Sequence, residues 1–205
     1  MTLRLCVIVG LLGITIACSR EAGSPPSDAL APAAPSPIAT APSATATAPS
    51  ANAAPQGRED ITVNMADACD PDTFNAAIAP GTCTRSGGMK FDRFIDLLTR
   101  LAFVGPWHFA PNTVKARVGA TFVAVNKGGE VHTFTEVAAF GGGIVPDLNQ
   151  LSRTPDVAPE CTQLKGEDFV PPGAAYREQV EHGGALKYQC CIHPWMRLEA
   201  EAATP

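Results

Sequence analysis

Tyr188-Gln189-Cys190-Cys191-Ile192-His193-Pro194-Trp195-Met196 sets a thiolate, an imidazole and a thioether three residues apart from one another. A soft thiolate and thioether favour a cuprous ion, an imidazole suits either copper oxidation state, and a trigonal set of two His and one Cys with a weak axial Met suits single-electron chemistry. One imidazole is missing from this stretch. Its expected source is His132, in Val125-Asn126-Lys127-Gly128-Gly129-Glu130-Val131-His132, an apolar strand running through a Gly-Gly turn.

Cys191 competes with Cys190 for the ligand role. Only Cys190 gives the C-x-x-H spacing, and by strand alternation it shares a face with the apolar Leu186 and Tyr188, which turns Cys191 the other way. His108, beside Trp107 and Phe109, and His182, beside Gly183-Gly184, read as packed or turn residues rather than ligands.

The two segments together resemble the cupredoxins, and most closely the amicyanin and pseudoazurin-like branch. The likeness rests on C-x-x-H-x-x-M near the C-terminus and on Asn126 six residues before His132, and it spans roughly Asn112 to Ala202. The chain departs from the simple pattern in its long His132 to Cys190 connection and in Arg197, where Gly is usual after the Met. The resemblance implies one copper ion held by His132, Cys190, His193 and Met196, with Asn126 bracing the Cys segment. It also implies an imidazole edge of His193 near the surface, and Pro194 and Trp195 as the rim where a redox protein docks in transient contact.

The elements that must position these residues read as strands. Ile61 to Met65, Trp107 to Ala110, Thr113 to Val118, Ala120 to Asn126, Val131 to Val137, Leu186 to Cys190 and Arg197 to Ala202 are short, β-branched or alternating, and punctuated by Gly, which predicts an all-β sandwich. The resemblance implies its Greek-key cupredoxin form. Lys90 to Leu101 places Phe91, Phe94, Ile95, Leu98 and Leu101 at helical spacing, a short inserted helix near the start of the domain. Cys69 to Gly88 reads as loop. Ala138 to Gly184 reads as a long loop insertion before the ligand loop, with one strand near Glu167 to Val170.

Ahead of the domain, residues 1–18 read as a secretory signal whose apolar run is too short to span a bilayer. Its end, Thr15-Ile16-Ala17-Cys18, is similar to a bacterial lipobox and predicts lipidation of Cys18. Residues 19–58, almost wholly Ala, Pro, Ser and Thr, lack the apolar surface to offset ordering entropy and read as a disordered tether. Residues 59–205 are then the copper-binding domain, exported and held at the periplasmic or outer face of a membrane.

Of seven cysteines, removing Cys6 with the signal, Cys18 to lipid and Cys190 to metal leaves Cys69, Cys83, Cys161 and Cys191. Four cysteines allow three pairings. Cys69 with Cys83 is favoured because they flank one loop, leaving Cys161 with Cys191.

The formal net charge is −5, with no basic run or aromatic-basic interleaving, which excludes a nucleic-acid partner. The extra paired histidines of a multicopper oxidase, two cysteines four apart for a binuclear copper centre, a nucleophile-base pair and a phosphate loop are all missing from the sequence, so the expectation is not an enzyme and no small-molecule substrate. Three readings follow: a one-electron carrier, a copper-delivery lipoprotein using the same ligands, and a zinc or purely structural site. Met196 is a poor zinc ligand, which weighs against the last.

Overall fold

The computed structural model describes residues 59–85 and 87–204. The expected signal, tether and lipidated Cys18 lie outside the described residues. The described chain begins with β1 (Asp60–Ala66), followed by α1 (Pro71–Ala77), α2 (Phe91–Leu101), β2 (His108–Ala110), β3 (Thr113–Arg117), β4 (Thr121–Asn126) and β5 (Thr135–Glu136). After α3 (Pro146–Leu151) come β6 (Ala175–Gln179), β7 (Gly184–Gln189) and β8 (Arg197–Ala203).

The strands form two four-stranded sheets, ordered β2-β1-β4-β6 and β3-β8-β7-β5. Consecutive strands repeatedly change sheet: β2 and β3 sit in different sheets, as do β4 and β5, and β6 and β7. The result is an all-β sandwich with small helical insertions, the fold class expected from strand patterning. Alternation explains its closure. On β8 the odd positions of the run, Arg197, Glu199, Glu201 and Ala203, face out, while Leu198, Ala200 and Ala202 are buried, so one face joins the core.

Between the sheets Phe134 stacks on Tyr188 at 4.6 Å between centroids, and Phe122 meets the same Tyr188 edge-on at 5.1 Å. A second aromatic group lies under the helices, where Phe74, Phe94 and Trp107 are all buried. Among the described residues there are two disulfides, Cys69–Cys83 and Cys161–Cys191. They fit an oxidising compartment.

Several expectations are corrected. The segment from Cys69 to Gly88, expected to be loop, contains α1. Asp70 caps it by accepting from the Thr73 N–H at 3.0 Å, and Pro71 occupies the first turn, where its missing N–H costs nothing. The strand expected near Glu167 to Val170 is a 3-10 turn at Gly166–Asp168; Val170 pairs only with His132, as an isolated bridge. The sheet position goes instead to β6, which pairs with β4 and whose polar, half-exposed face gave little apolar signal. The insertion also holds α3, and the strand expected over Val131 to Val137 is ordered as β5 only at Thr135–Glu136.

Glu178 on β6 is pushed up to about 7, by loss of hydration on burial first and then by the neighbouring charges of Glu136, Asp168 and Glu181. A carboxyl raised in the folded state contributes stability that is complete below its unfolded value near 4.5 and is lost as pH rises through about 7. Glu178→Gln is therefore expected to match the parent chain at pH 4 and to exceed its stability at pH 8 by on the order of 1 kcal/mol. Urea melts at the two pH values measure this; an equal difference at both would contradict it.

Candidate metal centre

The ligand loop is closed by β7 and β8, whose antiparallel register pairs Gln189 with Arg197. The pairing continues into the loop, where the Cys190 N–H donates to the Met196 carbonyl at 3.0 Å and the Met196 N–H to that of His193 at 2.9 Å. This tight turn brings Cys190 and His193 together. Cys190 Sγ lies 3.8 Å from His193 Nδ1 and 3.9 Å from His132 Nδ1. The three ligand atoms lie within 4.8 Å of one another and all three residues are buried. Met196 is also fully buried, at the end of the same turn.

Cys190 is a free thiol. Burial alone would push it up, but hydrogen bonding to His132 and His193 outweighs this and holds it well below the usual thiol value. Its sulfur also accepts from the backbone N–H of Thr133 at 3.4 Å and of His193 at 3.5 Å. Cys191 turns away into the bridge with Cys161. Behind it, Gly143 packs so closely that a Cβ would stand 1.9 Å from the Cys191 carbonyl oxygen, and the Ile144 N–H donates to that oxygen at 2.7 Å. The insertion thus backs the ligand loop directly.

A carboxylate stands behind each imidazole, hydrogen-bonded to His132 and within ion-pair distance of His193. Asp67, its side chain 1 % exposed, meets His132 Nε2 at 2.9 Å. The same carboxylate accepts from the backbone N–H groups of Cys69, Gly129 and Glu130 at 2.8–3.2 Å. Burial pushes Asp67 up, but the hydrogen bond from His132 and those from the Glu130 and Gly129 N–H groups outweigh it, leaving it near 2. An ionised carboxylate only accepts, so Nε2 of His132 carries a proton in either charge state of the ring, and Nδ1 is the nitrogen that faces Cys190. Desolvation would lower His132; its hydrogen bonds to Asp67 and Cys190 win and hold it near 9 in the metal-free protein.

Asp67 reaches His132 because β1 runs parallel to β4, with Met65 opposite Asn126. Two residues further on, Asp67 lies against the Gly128-Gly129 turn. A Cβ on Gly128 would stand 1.9 Å from Asp67 Oδ2, so the glycine permits a close approach rather than merely making a turn.

Glu130 faces His193 more loosely, beyond hydrogen-bond distance. Its Oε2 lies 3.6 Å from His193 Nε2 and accepts from Trp107 Nε1–H at 2.7 Å. Desolvation raises Glu130, against the lowering charge of His193.

Three expectations about the site change. The His193 edge is covered rather than near the surface: the residue is 3 % exposed, because Glu130 and Trp107, the latter following the α1–α2 insertion, pack against it. Pro194 is likewise buried, while Trp195 is half-buried. Trp195 meets His193 at 5.5 Å and Phe94 at 6.0 Å between centroids. Asn126 does not reach the Cys segment. Its amide donates to the carbonyls of Glu130 and Val170, both at 2.8 Å, and its oxygen accepts from the Gly128 N–H, so it braces the turn ahead of His132. Thr133 braces the Cys segment instead, its Oγ1 accepting from the Cys191 N–H at 2.7 Å. Asp67, Glu130, Trp107 and Thr133 are not singled out by the sequence; Asp67 lies two residues past the strand expected at Ile61 to Met65, and its role depends on the β1–β4 pairing.

No protein-family model matches the chain, and no curated protein matches it in sequence. Among solved structures it is similar to a purple cupredoxin from Nitrosopumilus maritimus, at 14 % identity and a TM-score of 0.39, over 69 % of this chain and 98 % of that one. It is also similar to a methionine-to-alanine variant of amicyanin in the Cu(I) form, at 20 % identity and a TM-score of 0.33, over 47 % and 73 %. A reduced proline-to-phenylalanine amicyanin variant gives 22 %, 0.31, 45 % and 70 %. The functional reading rests on the site itself.

Proposed function

We propose that the chain is an exported type 1 copper protein that carries single electrons between redox partners at a membrane surface. The observation that supports it is the buried triad in which His132 Nδ1 and His193 Nδ1 both face Cys190 Sγ at 3.9 and 3.8 Å. Three soft or borderline donors converging in a dry core, with the thioether-bearing Met196 beside them, suit copper better than a hard cation.

A copper ion held there would supply a one-electron couple. The residues supply the rest. Cys190 offers a thiolate already stabilised by two N–H donors, and Asp67 keeps the proton on Nε2 of His132, so that Nδ1 is the nitrogen that would give up its proton to a metal. The Cys161–Cys191 bridge and the β7–β8 pairing hold the loop against rearrangement. With the His193 edge covered, Trp195 is the side chain that links the site to the surface, and a redox partner would dock over it in a small, quickly released contact. The reading is of a carrier and not an enzyme. The leader, the tether and lipidation of Cys18 belong to this reading as the means of export and anchoring.

Copper delivery would use the same ligands, but all of them are buried, which favours retention over handover. Repeated cycles of chemical reduction and reoxidation of the copper-loaded chain beside a competing cuprous chelator separate the two. A carrier keeps its copper through many cycles. Loss of the metal to the chelator within the first cycles would replace the carrier reading with delivery.

A further inference from the structure

We infer that Asp67 and Glu130 form a pair of buried positioning carboxylates, one behind each ligand imidazole, that biases the bound ion toward its cupric state and makes this a low-potential centre. The inference rests on the carrier reading and deepens it. It gives the couple a direction: such a centre takes electrons from strong reductants and readily passes them on.

The geometry is specific. Asp67 Oδ2 meets His132 Nε2 at 2.9 Å, and Glu130 Oε2 lies 3.6 Å from His193 Nε2. Neither carboxylate is free to leave. Asp67 is gripped by three backbone N–H groups, and Glu130 by the indole of Trp107. Both side chains are nearly sealed from water, 1 % and 8 % exposed, so their charge is poorly screened.

Two effects act in the same sense. A carboxylate hydrogen-bonded to the outer N–H of an imidazole, as Asp67 is to His132, makes the inner nitrogen a stronger donor, which favours the more highly charged ion; Glu130, 3.6 Å from His193 Nε2, acts through its charge. A fixed negative charge nearby also stabilises two positive charges more than one. Against these work Met196 and Cys190, which as soft ligands favour the cuprous ion. The carboxylates set where that contest ends. They also explain why Gly128 must lack a side chain: a Cβ there would displace Asp67.

The test is the cuprous-to-cupric ratio of the copper-loaded chain, read from its visible band in one redox buffer, for the parent, Asp67→Asn, Glu130→Gln and the double variant. Each single change is expected to raise the ratio about tenfold, equivalent to about 59 mV for a one-electron couple. The double variant is expected to give roughly the product of the two, as for independent sites. Nitrogen-15 NMR of the metal-free chain supplies a second readout: His132 should be protonated at Nε2 in the parent, and that signal should move in Asp67→Asn and not in Glu130→Gln. Ratios within twofold of the parent in variants that keep the band would overturn the inference and leave the carrier reading standing. If Asp67→Asn does not fold, Glu130→Gln alone decides. A parent chain with no thiolate band would remove the carrier reading, and this inference with it.

Discussion

Cys190→Ser is expected to abolish the intense visible absorption of the copper-loaded chain outright, while a Cys161→Ser, Cys191→Ser double variant keeps it. A serine hydroxyl does not supply the soft thiolate on which the band depends, and it leaves His132 and His193 facing a poor donor. The double variant removes only the bridge behind the loop. On the chain-entropy model, a loop of that length costs about 3–4 kcal/mol of stability when opened. The two changes therefore fall on different observables: colour for one, unfolding midpoint for the other. Absorption spectra beside denaturant melts of both proteins check the division. A colourless double variant with a coloured Cys190→Ser would reverse the ligand assignment.

Trp107→Ala is expected to be among the most damaging substitutions in the helical cap, at about 3–5 kcal/mol. The indole is 1 % exposed, lies 4.7 Å from Phe94 and 5.8 Å from Phe74 between centroids, and donates to Glu130. Removing it opens a cavity and leaves a buried carboxylate without its donor. Trp107→Phe retains most of the packing and isolates the lost hydrogen bond, for which about 1–3 kcal/mol is expected. Urea unfolding of the metal-free chain measures both. A cost for Trp107→Ala below about 1 kcal/mol would mean that the cap folds independently of this side chain.

Part of this arrangement was legible because it is local. Cys190, His193 and Met196 lie on one turn, and their spacing can be read without knowing the fold. Helix α2 showed itself by period, with Phe94 and Leu98 buried as a 3.6-residue repeat requires. The sandwich showed itself by alternation, most clearly on β4, where buried Phe122, Ala124 and Asn126 alternate with partly exposed neighbours.

What escaped was long-range. Asp67 stands 65 residues from His132, and the two meet only because β1 is parallel to β4, a pairing that no local pattern dictates. Glu130 carries no sequence signal of burial; the structure buries it where Trp107 offers its indole N–H. The covering of His193 follows from the same cause, since a helix read by its period does not say which side chains beyond it pack on the site. Helix α1 is an intermediate case. Asp70-Pro71 is a recognisable helix start, but one helix of seven residues carries too short an apolar period to be distinguished from loop.

The central claim is that Cys190, His132 and His193 hold copper as a trigonal thiolate centre. The measurement that tests it most directly is the combined visible and electron paramagnetic resonance spectrum of the chain loaded with one equivalent of cupric ion. The account predicts an intense thiolate-to-copper band together with narrow copper hyperfine splitting. A pale adduct with wide hyperfine splitting would contradict it.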